Sequence, residues 1–416
     1  MDELDALRLM RTGLALEEPP ERLAQRIDWR DERDARDARD DGAKERPRRG
    51  LRLRLRPRVP LLTLAAATVA ATVAIALVAA QDDEGPAPGP GGENGPRPGN
   101  VLLAAAVSAQ KAPSGKYWHV KTVSGEVYAV GKSASKHYKV DSRQGNEMWT
   151  DRNGLRRTAH IELPDIPLTA ADRRKWQAAG SPEWVDVPNP EGGGEAQLDM
   201  SASSTGRSPA PPSPDERFYA MTPRQIAELP TDPKALENAL LGLKDYWRAV
   251  SKDGVGPEPM RALRGEERVR ALTDVAGTLL STAPAPPEVR AAVFRMLANQ
   301  PGVRDEGQTT DPLGRRGTAV SLPLKTTTAL GVYTAPKQLG TYRRQFILNP
   351  DTGTLLAIRD LVADPPRGSR KLPPGDDGQP RSLRAEDMPD RFHRSGELAS
   401  YQAFAVTEWT NTEPPH

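Results

Sequence analysis

The sequence predicts an α+β protein, a curved and mainly antiparallel sheet with helices packed on one face, carried on a single transmembrane helix. Three observations predict it. Val59 to Ala80 is an uncharged apolar run. Residues 116–161 and 303–409 hold short β-branched and aromatic runs separated by turn residues, the pattern of strands. Between them, residues 222–299 repeat apolar positions at helical spacing. Strands, then helices, then strands again place helices against one side of a meandering sheet.

At 1.5 Å rise per residue, a helix over 59–80 covers roughly 33 Å, enough to cross a hydrocarbon core of about 30 Å. Its threonines, Thr63, Thr68 and Thr72, can bond back to carbonyls one turn earlier. Arg48, Arg49, Arg52, Arg54, Arg56 and Arg58 precede it, and Gln81-Asp82-Asp83-Glu84 follows. Basic residues before and acids after predict a single-pass protein of the cell membrane, N-terminus in the cytoplasm and C-terminal bulk outside. Val78-Ala79-Ala80 would suit signal-peptide cleavage, but an n-region of nearly sixty residues is too long, so the run reads as an uncleaved anchor. The arginines beside it, within LRLRLR, read as topogenic charge at the lipid bilayer rather than as a nucleic-acid arm.

Residues 1–58 form the predicted cytoplasmic arm. Leu4, Leu7 and Met10, and later Leu23 and Ile27, mark two short helices with too few apolar side chains for a core. A charged spacer follows at 30–46. The arm reads either as a docking segment that folds on a cytoplasmic partner, as a sigma-factor-binding segment would, or as a weakly helical tail. Residues 81–99 contain the Pro/Gly stretch GPAPGPGGENGPRPG, a stalk.

The folded domain occupies 100–416. A helix starts near Val101 with Asn100 as N-cap. Strands are expected over 118–122 and 127–130, then His137–Val140, Asn146–Thr150 and Leu155–Ile161, the last two joined by Asp151-Arg152-Asn153-Gly154. Thr169 to Ala179 is a short helix bearing Trp176. Residues 185–215 and 364–389, rich in Pro, Gly and polar residues, are expected to be disordered loops. Thr222-Pro223 opens a helix. Asp232-Pro233 opens the next, over Lys234–Ser251, with Leu236, Leu240, Leu243 and Trp247 on one face. Helices over Glu266–Leu280 and Pro287–Asn299 complete the helical section. Strands return at Val303–Thr309, Gly317–Leu324, Tyr342–Leu348, Leu355–Leu361 and Ser400–Trp409, with a turn at Asp351-Thr352-Gly353.

Composition narrows the function classes. The chain has 416 residues, 41 prolines, 35 glycines and no cysteine. Disulfides, cysteine metal sites and thiol nucleophiles are thereby excluded. His119, His137, His160, His393 and His416 lie at no metal-ligand spacing. GxSxG, P-loop and GxGxxG signatures are absent, so no cofactor and no enzymatic activity are expected. Asp351-Thr352-Gly353 matches the aspartic-protease triplet, which requires a second such loop; without one it reads as a β-turn. Asp311 and Gly314-Arg315-Arg316-Gly317 read as a hairpin connection or as an anion site. Trp118, Trp149, Trp247 and Trp409 either line an apolar ligand cavity beneath the helices or fill the core.

The start MDELDALRLMR, the Arg-flanked anchor, YWHVKT, LPTDPKALENALL, AAVFRMLANQPGV, DPLGRRGTAV and FILNPDTGTLLA occur in this order. In these segments the chain resembles a family of uncharacterised actinobacterial single-pass membrane proteins often encoded near extracytoplasmic-function sigma factors. The external domain also looks like the half-barrels of periplasmic lipoprotein carriers and envelope-stress sensors. The first expectation is a non-enzymatic binding or sensor protein, with a hydrophobic ligand or envelope protein as partner outside and a sigma factor or other regulator inside. The competing expectation is a structural or envelope-assembly membrane protein without a signalling role.

Overall fold

The computed structural model describes residues 99–188, 195–201, 206–214, 216–243, 260–326, 339–372 and 380–415. Residues 1–58, expected to form a cytoplasmic arm, with the six arginines that flank the apolar run, the run 59–80 itself and Trp247 lie outside the described residues. Among those described, no helix is long and apolar enough to cross a membrane.

The fold class is α+β, as the sequence predicts. Helix α1 (Gly99–Gln110) leads into a long hairpin of β1 (Tyr117–Ser133) and β2 (Lys136–Asp151), followed by β3 (Arg156–Glu162), the short β4 (Ile166–Pro167) and α2 (Ala170–Ala178). A small hairpin, β5 (Trp184–Pro188) and β6 (Glu195–Asp199), precedes β7 (Gly206–Pro209). The helical section contains α3 (Pro223–Ala227), α4 (Pro233–Leu240), α5 (Gly265–Leu280) and α6 (Pro287–Ala298). The chain returns through β8 (Arg304–Thr310), β9 (Arg316–Thr326), β10 (Thr341–Asn349) and β11 (Thr354–Asp364). A second small hairpin, β12 (Ser369–Leu372) and β13 (Arg381–Arg384), precedes the closing strand β14 (Leu398–Thr410).

The main sheet has the order β7-β3-β2-β1-β14-β11-β10-β9-β8, with β4 also on β2. Its two halves come from either side of the helical section and meet where β14 pairs with both β1 and β11. All of these pairings are antiparallel.

Start signals in the sequence act as expected. Thr222 and Gln225 form a reciprocal capping box at α3, and Asp232 accepts from Lys234 N and Ala235 N at α4. One face of the sheet carries the main core. There Trp118, Val120, Met148, Phe346, Leu348, Phe404 and Trp409 meet Leu102 of α1, Leu236 and Leu240 of α4, Leu272 and Leu279 of α5, and Val293 and Leu297 of α6. A smaller cluster, with Ile347, Ala357, Tyr401 and Ala403, forms on the opposite face.

Several expectations need correction. The runs on either side of Gly125 are one continuous strand, as are those on either side of Ser142, because β1 and β2 pair throughout from Tyr117↔Asp151 to Val130↔Tyr138. Asn100 lies inside α1 and is not its N-cap. Helix α4 stops at Leu240, and the residues predicted to continue it beyond 243 lie outside the described residues. The described parts of the two expected loops are ordered hairpins. Val185, Val187, Leu198 and Met200 bury their side chains against Val130, Tyr138 and Val140, so alternate residues within a Pro/Gly-rich stretch suffice for a small core. Similarly, Ser369–Leu372 pairs with Arg381–Arg384.

Gly353 closes the β10–β11 hairpin at φ +64°, and a Cβ there would collide with Ala109 N and Ala105 O of α1. Gly314 has a similar φ, +81°, but open space around it. Gly314→Ala should cost about 1–2 kcal/mol, the left-handed backbone term alone. Gly353→Ala should cost several kcal/mol, because α1 must also move. Urea unfolding of the full chain compares the two; equal losses would remove the close approach as a constraint.

A cleft between one helix and the sheet

Helix α5 has two faces. Leu272, Val275, Ala276 and Leu279 point into the main core, on one face as the sequence predicts. Thr273, Asp274, Gly277, Thr278 and Ser281, offset by one, four, five and eight residues, form a second face of small and polar side chains over the sheet. Small side chains do not fill the space between the two layers. A cleft of about 700 Å³ results, within the range of small-molecule sites.

The floor follows from strand register. Phe346, Ile358, Gln402, Ser124 and Gln144 are in line across β10, β11, β14, β1 and β2. Two residues along each strand, Arg344, Asp360, Ser400, Glu126 and Ser142 form a second line. Side chains two apart share a face, so both lines underlie α5. The floor is apolar at Phe346 and Ile358 and turns polar toward β1 and β2. At the apolar end the helix comes down close: a methyl on Gly277 would meet Ile358 Cδ1 at 3.1 Å.

Roof and floor are tied by ions. Arg344 makes a two-pronged pair with Asp360, Nε to Oδ1 and Nη2 to Oδ2, both 3.0 Å, and its Nη1 donates to Asp274 Oδ1 at 2.9 Å. Asp360 has no exposed surface. Burial alone would favour loss of the Arg344 proton, but the two carboxylates reverse that and hold it above its ordinary value. Tyr219 closes one side of the cleft, its hydroxyl bonded to Thr278. It sits in a two-residue turn in which Tyr219 and Ala220 both have positive φ, +50° and +63°, clamped by paired bonds between Phe218 and Met221. Neither is glycine, so each costs on the order of 1–2 kcal/mol.

The opposite face of the sheet carries Asp141 and Tyr401 beneath Gly125, where any side chain would strike both. Tyr401 donates to Asp141 Oδ2 at 2.8 Å, and Oδ1 is buried with no partner. Burial raises the Asp141 carboxyl to about 6, against the opposing pull of Tyr401 and Arg143. His393, 3% exposed with both ring nitrogens unbonded, is pushed down to about 4 by burial and by Lys139.

Trp118, Trp149 and Trp409 do not line this cleft. Trp118 and Trp409 face each other across β1 and β14 with rings 5.4 Å apart. Their indole nitrogens donate to Ser281 O and Ala285 O, pinning the α5–α6 connection to the sheet. A buried indole needs an acceptor, and the C-terminal end of α5 supplies one. Trp149 lies on the other face of the sheet, stacked on His119 at 3.7 Å. Trp247 is not among the described residues. In the Asp311–Gly317 connection, Arg315 pairs with Asp311 and donates to Phe404 O and Leu356 O, which leaves it committed to the fold rather than to an anion. Among the described residues no group of three metal-ligating side chains gathers.

Glu126, Ser400, Gln402, Gln144, Asp274 and Arg344 are the residues that sequence reasoning passed over. Their signal is present in alternate positions of β1, where Trp118, Val120, Thr122, Ser124, Glu126, Tyr128 and Val130 run from apolar through polar and back. No family model matches the chain, and neither a curated protein nor a solved structure is similar to it.

Two outcomes test the charges. Arg344→Met should cost about 3–5 kcal/mol, because it strands two buried carboxylates. The double variant Arg344→Met/Asp360→Asn should lose less, and urea unfolding measures both. Asp141, with its folded value raised from 3.8 to about 6, stabilises fully below pH 3.8, and that contribution is lost as pH rises through 6. Asp141→Asn should therefore gain on the parent between pH 4 and 7, by on the order of 3 kcal/mol. His393 slopes the other way: the unfolded chain takes up a proton below pH 6.5 that the folded chain refuses until about 4. A difference between parent and Asp141→Asn that is flat with pH would refute the assignment.

Proposed function

We propose that the chain is a non-enzymatic binding or sensor protein, held at the outer face of a cell membrane by residues 59–80, whose ligand occupies the cleft beneath α5. The observation that carries this reading is the cleft's floor. Ser124, Gln144 and Gln402 are arrayed on three adjacent strands under a helix that leaves them uncovered, with Ser400 buried beside them. A packed domain gains nothing from an open polar patch beside Phe346 and Ile358, whereas a ligand can fill it and pair with its polar groups. The ligand is a small molecule with hydrogen-bonding groups and one apolar side, matched to Gln402, Ser124 and Gln144 at one end and Phe346 with Ile358 at the other.

A hydrophobic ligand held by tryptophans gains no support, since Trp118 and Trp409 hold the α5–α6 connection in place. The membrane anchor, the outward orientation and a cytoplasmic regulator such as a sigma factor are carried by the sequence alone: the uncharged run, its flanking arginines and the short helical patterns of residues 1–28.

Native mass spectrometry of the full chain released from lipid nanodiscs tests the cleft. The parent should retain a small ligand, and Gln402→Trp, which fills the floor, should lose it at unchanged thermal stability. Equal retention by the two places the ligand elsewhere. A pull-down with the full chain should recover a cytoplasmic regulator that a chain lacking residues 1–58 does not. Recovery of none reduces the protein to a structural component of the envelope.

A further inference from the structure

We propose that the Glu126 end of the cleft is a subsite for an organic cation, so that the ligand carries an ammonium or guanidinium group. The inference rests on the reading of the cleft as a binding site and adds the class of ligand.

The two ends of the cleft differ in charge balance. At one end Arg344 is matched by Asp360 and Asp274, and Arg270 approaches Asp274 at 3.9 Å. At the other, Glu126 lines the cleft and accepts from the Tyr128 hydroxyl at 2.9 Å. Asp390, 3% exposed, accepts from the Tyr342 hydroxyl at 3.0 Å through Oδ2, while its Oδ1 is buried with no partner. The Asp390 charge acts on Glu126. Arg143 also lines the cleft, but its guanidinium donates to Pro164 O through Nε and Nη2. Arg344 is three strand spacings from Glu126 in register, about 14 Å, and already neutralised. Glu126 is exposed at the cleft and Asp390 is buried; desolvation raises both carboxyls, joined at Glu126 by repulsion from Asp390, a condition that a bound cation would relieve.

A second observation, independent of the acids, points to a ligand here. Ser400 lies between Asp360 and Glu126 in the sheet, lines the cleft and is 6% exposed. Its Oγ is buried with no hydrogen-bond partner. A hydroxyl in that position can accept an N–H from a group already paired with Glu126. A divalent metal ion suits the site poorly: Ca²⁺ takes six to eight oxygens, and Glu126 and Asp390 offer two carboxylates between them.

Agmatine, which carries an ammonium and a guanidinium, is a suitable probe for isothermal titration against the full chain in nanodiscs. Succinate and 1,4-butanediol serve as anionic and neutral controls. Agmatine should saturate a single site and bind at least tenfold more tightly than either control. Glu126→Gln should weaken it tenfold or more at unchanged thermal stability, and Ser400→Ala severalfold. Agmatine binding no better than butanediol, binding unaffected by Glu126→Gln, or competition by millimolar CaCl₂ at unchanged ionic strength would overturn the proposal. If agmatine fails while Gln402→Trp still abolishes ligand retention in native mass spectrometry, the cation subsite falls and the cleft remains. If Gln402→Trp has no effect on retention either, the cleft reading falls with it.

Discussion

One guanidinium holds the roof of the cleft to its floor. Arg344 on β10 spends its donors on Asp360 of β11 and Asp274 of α5. Removing three charges from water costs several kcal/mol per ion, and only near-complete mutual pairing offsets it. That requirement sets the rotation of α5. Asp274 has to face the sheet, and the residues that share its side of the helix, Thr273, Gly277, Thr278 and Ser281, turn inward with it. An amphipathic helix free to choose would bury its leucines against the sheet and hydrate its threonines. Here Leu272 and Leu279 join the main core beside the cleft, and the stretch of sheet under Asp274 receives a face too small to fill the gap.

The helix is fixed at a second place. Trp118 and Trp409, from strands at the junction of the two halves of the sheet, bond to carbonyls at and just beyond the C-terminus of α5. With the ion pair in its middle and the indoles at its end, α5 cannot settle onto the sheet to close the cleft without breaking buried polar bonds. The cavity is thus held open by strong interactions on its perimeter rather than by weak packing within it. Arg290, which stacks over Trp118 at 5.1 Å and donates to Gly353 O, extends the same framework to the β10–β11 turn and α1.

The framework was legible in the sequence to the extent that it depends on local signals. Thr222-Pro223 and Asp232-Pro233 announce helix starts, Asn153-Gly154 a turn, and the alternation of FILNPDTGTLLA a hairpin, and each forms where the residues indicate. The cleft was not legible, because it depends on which residues oppose one another across strands distant in sequence. Ser124, Gln402 and Ile358 become neighbours only once β14 inserts between β1 and β11. Single tryptophans drew attention as candidate ligand contacts, yet a buried indole N–H seeks any carbonyl, and the end of a helix provides one. The more telling pattern was quieter: three polar residues, Thr122, Ser124 and Glu126, at alternate positions inside a strand that is apolar at both ends. Residues 185–215 erred the other way. Their composition suggests disorder, but a hairpin needs only Val185, Val187 and Leu198 at the right spacing.

Buried polar atoms without partners occur on both faces of the sheet, Asp141 Oδ1 and the two His393 nitrogens among them, and some fall at or near the cleft. Ser400 Oγ and Asp390 Oδ1 are buried without partners, and each such group forfeits about 1–3 kcal/mol. Tyr219 and Ala220 occupy a backbone region that glycine would fill without strain. Alanine at 400 and glycine at 220 would each make a more stable domain, and neither change would disturb the core. Features that lower stability and cluster around a cavity are the pattern expected where a ligand contributes the missing interactions. Scattered over the surface, they would be ordinary imperfections of packing. At the cleft, Ser400 Oγ lines the opening and the strained Tyr219 closes one side of it, so two of these costs fall where an ion triad and two indoles hold the layers apart.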